Sequence, residues 1–362
     1  MRGLIKPQVE LFSYISIEDR VPPDHVLRKI DAMVRPILAA MNDEFDKIYS
    51  PVGRASIPPE SLLRALLLQV LYTIRSERQL VEHLNYNLLY RWFVGLGSDD
   101  PVWDHSTFSK NRDRLIDGGI ADRFFSLIVS LASSNGLVSS EHFSVDGTLI
   151  EAWASLKSFI PKDEVKKDDD SGDHNDRNRW VDFKGQSRSN ETHESTTDPD
   201  SRMATKSAGQ TAKLSYQGHV TMENRNGLAV DARLTQATGT AERDAAFEMA
   251  TALDEGSTVG ADKGYDTNEH TENLKTIGIK SHAAQNVHAR RHTSSIDGRT
   301  TRHGGYGVSQ RKRMRIEEIF GWLKTIGLMR RPMMIGTGRM GWMFTLSLCV
   351  YNLVRIKNLV SM

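Results

Sequence analysis

The sequence predicts an α/β protein: a mixed sheet flanked by helices, preceded by an all-helical N-terminal domain. Three observations carry that expectation. Residues 1–125 show apolar positions at helical spacing. From about residue 140 the pattern changes to short apolar runs alternating with helical stretches. Two of those runs end in aspartates, Asp146 in HFSVDGTLIEAW and Asp262 in STVGADKGYDT, while a carboxylate, Glu317, sits in the basic helical stretch RKRMRIEEIFGWLK.

In chain order, IPPESLLRALLLQVLYTIR opens with Pro58 and Pro59 and then reads as a helix without internal glycine. SERQLVEHL forms a second helix with Ser76 as its cap, and YNLLYRWFVGL a third. After the turn residues GSDDPVWDH, the basic segment STFSKNRDRL forms a small helix, and the set has the outline of a helix-turn-helix DNA reader. HFSVDGT is a buried strand ending at Asp146. KLSYQGHVTMENRNGLAVDARLTQA is a hairpin around Asn226-Gly227. AERDAAFEMATAL is a helix, STVGADKG a strand, NEHTENLKTIG a helix and IKSHAAQ a strand. SQRKRMRIEEIFGWLKTIG is one continuous helix and the apolar 341–359 region the last. This order matches an RNase H-like sheet, with Asp146 on its first strand and Asp262 on its fourth. Two domains result: a helical, helix-turn-helix-like domain over 1–125 and a catalytic sheet domain over 140–360. The latter carries a polar insertion at about 161–212 that has almost no apolar periodicity and is expected to be mobile, with no core element.

Composition narrows the function classes. The chain has 362 residues, of which 39% are hydrophobic and 26% charged, as in ordinary globular proteins. Its one cysteine, Cys349, excludes a disulfide framework and fits a reducing cytoplasm. The apolar stretch Trp342–Val354 has 13 residues, short of the ~20 needed to cross a bilayer. The N-terminus lacks the apolar core of a signal peptide, so a cytoplasmic location is expected. The net charge of +1 hides a segregation: residues 161–200 carry 12 acidic against 7 basic side chains, and residues 288–331 carry 11 basic against 3 acidic. A basic cluster of that kind suits phosphates. No phosphate-binding GxxxxGK[ST] loop, dinucleotide GxGxxG turn or serine elbow is present. His282, His288 and His292 lack the spacing of a zinc motif and read as surface or phosphate-contacting residues.

The three carboxylates are separated by 116 and 55 residues. Phosphodiester chemistry with two divalent ions needs several carboxylates converging from scattered elements, and Asp146, Asp262 and Glu317 are the candidates. An aspartate at a strand end points into the crevice where open α/β sheets bind ligands; the competing reading is a cap on a turn. Asp266, past the glycine in DKGYD, should point away. On a helical wheel with Arg313 at zero, Glu317 falls near about 40° and Lys324 near about 20°, one narrow stripe that could hold a metal and grip flanking phosphates. The competing reading is an ordinary Arg–Glu pair on a solvated helix.

The chain resembles a bacterial insertion-sequence transposase of the DDE class, in the broad group of insertion sequence five. The resemblance runs from IPPESLLRALLLQVLYTIRSERQLVEHLNYNLLYRWFVGL through DDPVWDHSTFSKNRDRL, HFSVDGTLIEAWASLKSF, GHVTMENRNGLAVDARLTQATGTAERDAA and VGADKGYDT to RKRMRIEEIFGWLKTIG and YNLVRI. It implies a catalytic and metal-binding triad of Asp146, Asp262 and Glu317, with Mg²⁺ as the cofactor and Mn²⁺ as a substitute. Arg313, Glu317 and Lys324 match the family signature around the glutamate, but its tyrosine position is occupied by Gln310. The implied activity is metal-dependent hydrolysis at the terminal inverted repeats of an element, after which the exposed 3′-hydroxyl attacks target DNA. The implied partners are double-stranded DNA and a second copy of the chain. Arg313, Lys324, Arg311, Gln310, Lys110 and Arg112 are the expected DNA contacts. An RNase H-like nuclease without strand transfer, or a non-catalytic DNA-binding derivative, are the alternatives.

Overall fold

The computed structural model describes residues 16–50, 52–53, 56–163, 189–206, 209–287 and 294–360. Within them the N-terminal part is helical throughout: α1 (Ile17–Arg20), α2 (Val26–Ala39), α3 (Asn42–Ile48), α4 (Pro59–Leu71), α5 (Glu77–Tyr86), α6 (Leu88–Val94), α7 (His105–Asp117) and α8 (Ile120–Ser134). Local chemistry sets their ends. Pro59 opens α4, where its missing N–H costs nothing. The Ser76 hydroxyl accepts from Gln79 N at 3.2 Å to start α5, as expected, and Asp104 starts α7 by accepting from Ser106 N at 2.8 Å. Gly95, at φ 86°, ends α6 in the left-handed conformation that a glycine adopts without strain. The buried Arg91 donates to the carbonyls of Leu84, Gly97 and Asp100 and so ties the loop after α6 to its own helix.

The sheet comes next: β1 (His142–Glu151), a two-stranded pair β2 (Phe159–Pro161) and β3 (His193–Ser195), then β4 (Arg202–Ala204), β5 (Lys213–Glu223) and β6 (Ala229–Gln236). After these come α9 (Ala241–Ala250), β7 (Thr258–Ala261), α10 (Asn268–Thr276), β8 (Lys280–Ala283), α11 (Gly298–Arg302), α12 (Gly304–Arg313), α13 (Ile316–Thr325) and α14 (Thr337–Val360). The main sheet has the order β4-β5-β1-β7-β8, with β6 also paired to β5. Pairings of β5 with β1, β4 and β6 are antiparallel, whereas β1–β7 and β7–β8 are parallel. Among the long strands the order is third, second, first, fourth, fifth, which is the RNase H-like arrangement the sequence predicted.

Four features differ from expectation. First, β1 does not end at Asp146 but continues to Glu151, because its antiparallel pairing with β5 persists to Glu151↔Ser215. Only the parallel pairing with β7 stops early, at Ser144↔Gly260. Second, the helix around Glu317 is interrupted. Arg315 N, Glu317 N and Glu318 N bond to the carbonyls of Lys312, Met314 and Arg315, each three residues back, so α12 and α13 meet through a tightened turn.

Third, the polar stretch at 161–212 contains β3 and β4, and Asp198 within it is 0% exposed. The Asp198 carboxylate accepts from the Tyr216 hydroxyl and from Gly336 N at 3.3 Å, linking this segment to β5 and to the start of α14. Order here comes from buried polar contacts such as those of Asp198 Oδ1, which leave no apolar period in the sequence. Residues 164–188 of the same stretch lie outside the described residues. Asp198→Ala is expected to destabilise the protein by about 2–3 kcal/mol, since it strips a buried tyrosine of its acceptor. Urea unfolding monitored by fluorescence checks this, and a loss below about 0.5 kcal/mol would show that the Tyr216 hydroxyl finds another partner.

Fourth, one apolar core joins the N-terminal helices to the sheet. Phe124 and Ile128 of α8 share it with Tyr216 and Val220 of β5 and with Phe344, Leu346 and Cys349 of α14. Cys349 is buried, and its thiol donates to Ala121 O at 3.8 Å. The two regions expected as separate domains thus share a core built on the 24-residue α14. No helix among the described residues is long and apolar enough to cross a membrane. A second core lies on the opposite sheet face, where Phe143 and Val145 of β1 meet Ala246 and Met249 of α9 and Tyr265.

Candidate active site

Alternation along β1 sorts its residues between the two faces. Phe143 and Val145 face α9, so Gly147 does too; Ile150 belongs to the larger core, and Asp146 and Thr148 share its side. The register His142↔Thr258, Phe143↔Val259, Ser144↔Gly260 brings Asp146 opposite Asp262 once the two strands begin to part. Asp262 immediately succeeds β7, and its Oδ1 accepts from Gly264 N at 2.7 Å, so this side chain caps the turn at the strand end. The divergence of two parallel strands opens the crevice that ligands of such sheets occupy.

Electrostatics mark the same spot. Burial pushes the Asp146 carboxyl up to about 7, and the charges of Asp262 and Glu242 add to the rise, against a hydrogen bond from Gly147 N and the charge of Arg313. Glu242, in the first turn of α9, is raised by burial and by Asp262. Three carboxylates therefore sense one another around the strand ends. Glu242 was not among the expected site residues; the acid in AERDAA reads as an ordinary first-turn acid, and only the fold brings it to Asp146.

Of the other expected residues, Glu317 lies exposed on α13. The tightened turn before it rotates at about 120° per residue, not ~100°, which moves Glu317 away from the Arg313 face by up to about 80°. The single stripe through Arg313, Glu317 and Lys324 is therefore broken, although Glu317 and Lys324 stay on one face of α13. Lys324 is half-buried, and its ammonium donates to the Thr148 hydroxyl at 2.6 Å, two residues beyond Asp146. Arg313 is partly buried, with its Nε unpaired and its charge felt by Asp146.

Gln310 donates to His282 O and so fastens α12 to β8 instead of facing open space. Tyr306, one turn earlier, fastens the same edge through its hydroxyl to Ala283 O at 3.0 Å. Arg112 is engaged in ion pairs with Glu77 of α5 and Asp113, whereas Lys110 and Arg311 are exposed. Asp266 points away, as expected, accepting from Asn286 N at 2.7 Å and Ser295 N at 2.8 Å. His282 is buried against Ser309 at 2.8 Å and is not a surface residue; His288 and His292 lie outside the described residues.

Donor chemistry at the strand ends suits a hard divalent cation: oxygen ligands with excess negative charge. Two buried atoms there have no hydrogen-bond partner, the Tyr265 hydroxyl and His219 Nδ1. No group of three His, Cys, Asp or Glu side chains among the described residues already stands close enough together to hold an ion. Carboxylates without a counter-ion repel, so that separation is compatible with the donor set.

Between the N-terminal helices and the sheet runs a basic cleft lined by Arg75, Lys324, Arg330 and Arg331 together with Trp153. Arg331 lies 5.0 Å from the Trp153 ring centroid and reaches the carbonyls of Ala152 and Ala154, which holds the exposed indole in place.

Comparison with known proteins identifies the family. Residues 15–114 match a transposase domain family (DUF772), and residues 140–353, more than half of the chain, match the transposase DDE domain. No curated protein matches the chain. Among solved structures, the chain is similar to the piggyBac transposase in a synaptic complex with hairpin DNA, at 8% identity and a TM-score of 0.42, covering 92% of this chain and 75% of that one. It is also similar to the Mos1 transposase in a paired-end complex with the left transposon end, at 10% identity and a TM-score of 0.20, covering 81% and 85%. The DDE-domain match alone settles the family, and with it a divalent-metal-dependent enzyme of DNA cleavage and strand transfer: the chain belongs to the DDE transposases.

Proposed function

We propose that this transposase binds the terminal inverted repeats of its own insertion sequence, in the insertion-sequence-five group, and processes both ends as a homodimer in the bacterial cytoplasm with Mg²⁺. The observation that carries the reading is the opposition of Asp146 and Asp262 where β1 and β7 part, beside a basic cleft. Asp146, Asp262 and Glu317 would hold the ions, with Mn²⁺ as a substitute. The bound ions would supply activation of a water or 3′-hydroxyl and charge neutralisation at the phosphate.

The chain's own residues supply the positioning. Lys324, tied to β1 through Thr148, sets a positive charge two residues beyond Asp146 along the strand, where it would meet a phosphate beside the scissile bond. Arg313 adds a second from the end of α12. Arg75, Arg330 and Arg331 extend the positive surface along the cleft, and Lys110 and Arg311 are free for outer phosphates. Gln310 and Arg112 are structural fasteners in this reading.

The test is a duplex carrying the element end, incubated with the full-length protein. Nicking that exposes a 3′-hydroxyl in Mg²⁺ and stops in EDTA is the expected result. Equal cutting of random DNA would defeat the inverted-repeat assignment. In the same system Lys324→Ala is expected to lower the slope of log affinity against log salt by about 0.9, one phosphate's worth on duplex DNA. An unchanged slope would remove Lys324 from the phosphate contacts.

A further inference from the structure

We propose that Glu242 is a fourth carboxylate of the catalytic centre, set beside Asp146 and Asp262 to share in holding the divalent cation. This deepens the functional reading above and rests on it.

Three features of the fold deliver Glu242 to that place. It stands in the first turn of α9, directly after the β5–β6 hairpin, so its position is tied to the strands beside β1. Gln217, buried on β5 opposite Leu149 of β1, donates its side-chain amide to Glu242 Oε1 at 2.6 Å and fixes the carboxylate's orientation. Residue 147, next to Asp146, is glycine, and a Cβ there would lie 2.9 Å from Glu242 Oε1 and 3.1 Å from its Cγ. Any side chain on that face would stand where the Glu242 carboxylate lies. The missing side chain is what lets an acid from α9 approach the strand that carries Asp146.

An ordinary helix-start acid would gain from the helix dipole in open solvent. Glu242 instead is partly buried, with its carboxylate held by Gln217 against the Gly147 position of β1. Tyr265 gives an independent sign. Its ring is 1% exposed and its hydroxyl has no hydrogen-bond partner. A buried, unpaired hydroxyl is costly and calls for a partner. A hydrated cation seated among the carboxylates provides one, since Mg²⁺ retains several of its waters when bound.

The test is Mn²⁺ binding to the full-length protein without DNA, by calorimetry and by the ion's electron paramagnetic resonance. Glu242→Gln keeps the size of the side chain and an acceptor for Gln217. It is expected to weaken Mn²⁺ binding about tenfold or more, since even an outer-shell partner of a metal is worth that much. The melting temperature in chelator should not fall, because a repulsive charge has been removed, while the rise on adding Mn²⁺ should shrink. Gly147→Ala, which pushes the carboxylate aside but keeps its charge, should give a smaller loss in the same direction. Glu248→Gln, on the exposed side of the same helix, should bind Mn²⁺ like the unmodified protein. Unchanged Mn²⁺ affinity in Glu242→Gln, with Asp146→Asn impaired, overturns the proposal and leaves the catalytic reading standing. Unchanged affinity in Asp146→Asn overturns both.

Discussion

Asp146→Asn and Asp262→Asn are each expected to reduce end cleavage by about a thousandfold or more, equivalent to roughly 4 kcal/mol of barrier, and to leave affinity for element-end DNA within about twofold. Both substitutions keep the shape of the side chain. Asp262 Oδ1 caps the turn at Gly264, and an asparagine carbonyl can accept the same bond, so the local fold survives. Asp146 accepts only from its neighbour, Gly147 N, at 2.8 Å. In the proposed reading each variant loses a charge that would serve the cation and not the grip on DNA. The basic cleft, with Arg75, Lys324, Arg330 and Arg331, is untouched. Nicking assays and salt-matched gel shifts on one duplex separate the two effects. Retained cleavage by either variant would take that aspartate out of the centre, and a parallel collapse of binding would show that it positions DNA instead.

The strand runs before Asp146 and Asp262 were legible in the sequence, because HFSV and STVGA are short stretches bounded by turn residues, and the structure pairs them in parallel. The hairpin at Asn226-Gly227 and the Ser76 cap were equally local, since turn and cap chemistry is written within a few residues. Glu242 was not legible, because its meaning depends on a glycine 95 positions earlier and on a glutamine across the hairpin. The interruption between Arg313 and Ile316 was equally hidden. RKRMRI contains no glycine or proline, and its helix formers read as continuous. Tertiary contacts override them: α12 buries Ser309 against His282 of β8, while α13 buries Ile316, Ile319 and Leu323 in the main core. Two burial directions along one segment require a change of phase, and the tightened turn supplies it. Asp198 shows the same limit from another side, as a charged residue in an unpatterned stretch whose partners lie on β5 and before α14.

Glu317→Gln is expected to lower cleavage as far as the aspartate variants do, with the melting temperature unchanged. Glu317 is exposed, and beyond the helix backbone bond from its own N–H to Met314 O no contact ties it into the fold, so nothing structural is lost with its charge. Its claim on the catalytic centre rests on the family spacing to Lys324 and on sharing a face of α13 with that lysine, which itself reaches Thr148 beside Asp146. The neighbouring Glu318 is the internal control. It lies on the other side of α13, 3.8 Å from Arg355, an exposed pairing worth little, and Glu318→Gln should retain nearly full activity. Glu317 is exposed, whereas Glu242 is held by Gln217. The pair of glutamates therefore makes a sharp comparison. If Glu317→Gln cleaves normally while Glu242→Gln is inactive, the third acid of this transposase comes from the helix after the hairpin, and the Arg313–Glu317–Lys324 spacing serves DNA contact alone. If both are inactive but only Glu242→Gln loses Mn²⁺ in the absence of DNA, Glu317 joins the centre when the substrate phosphate arrives.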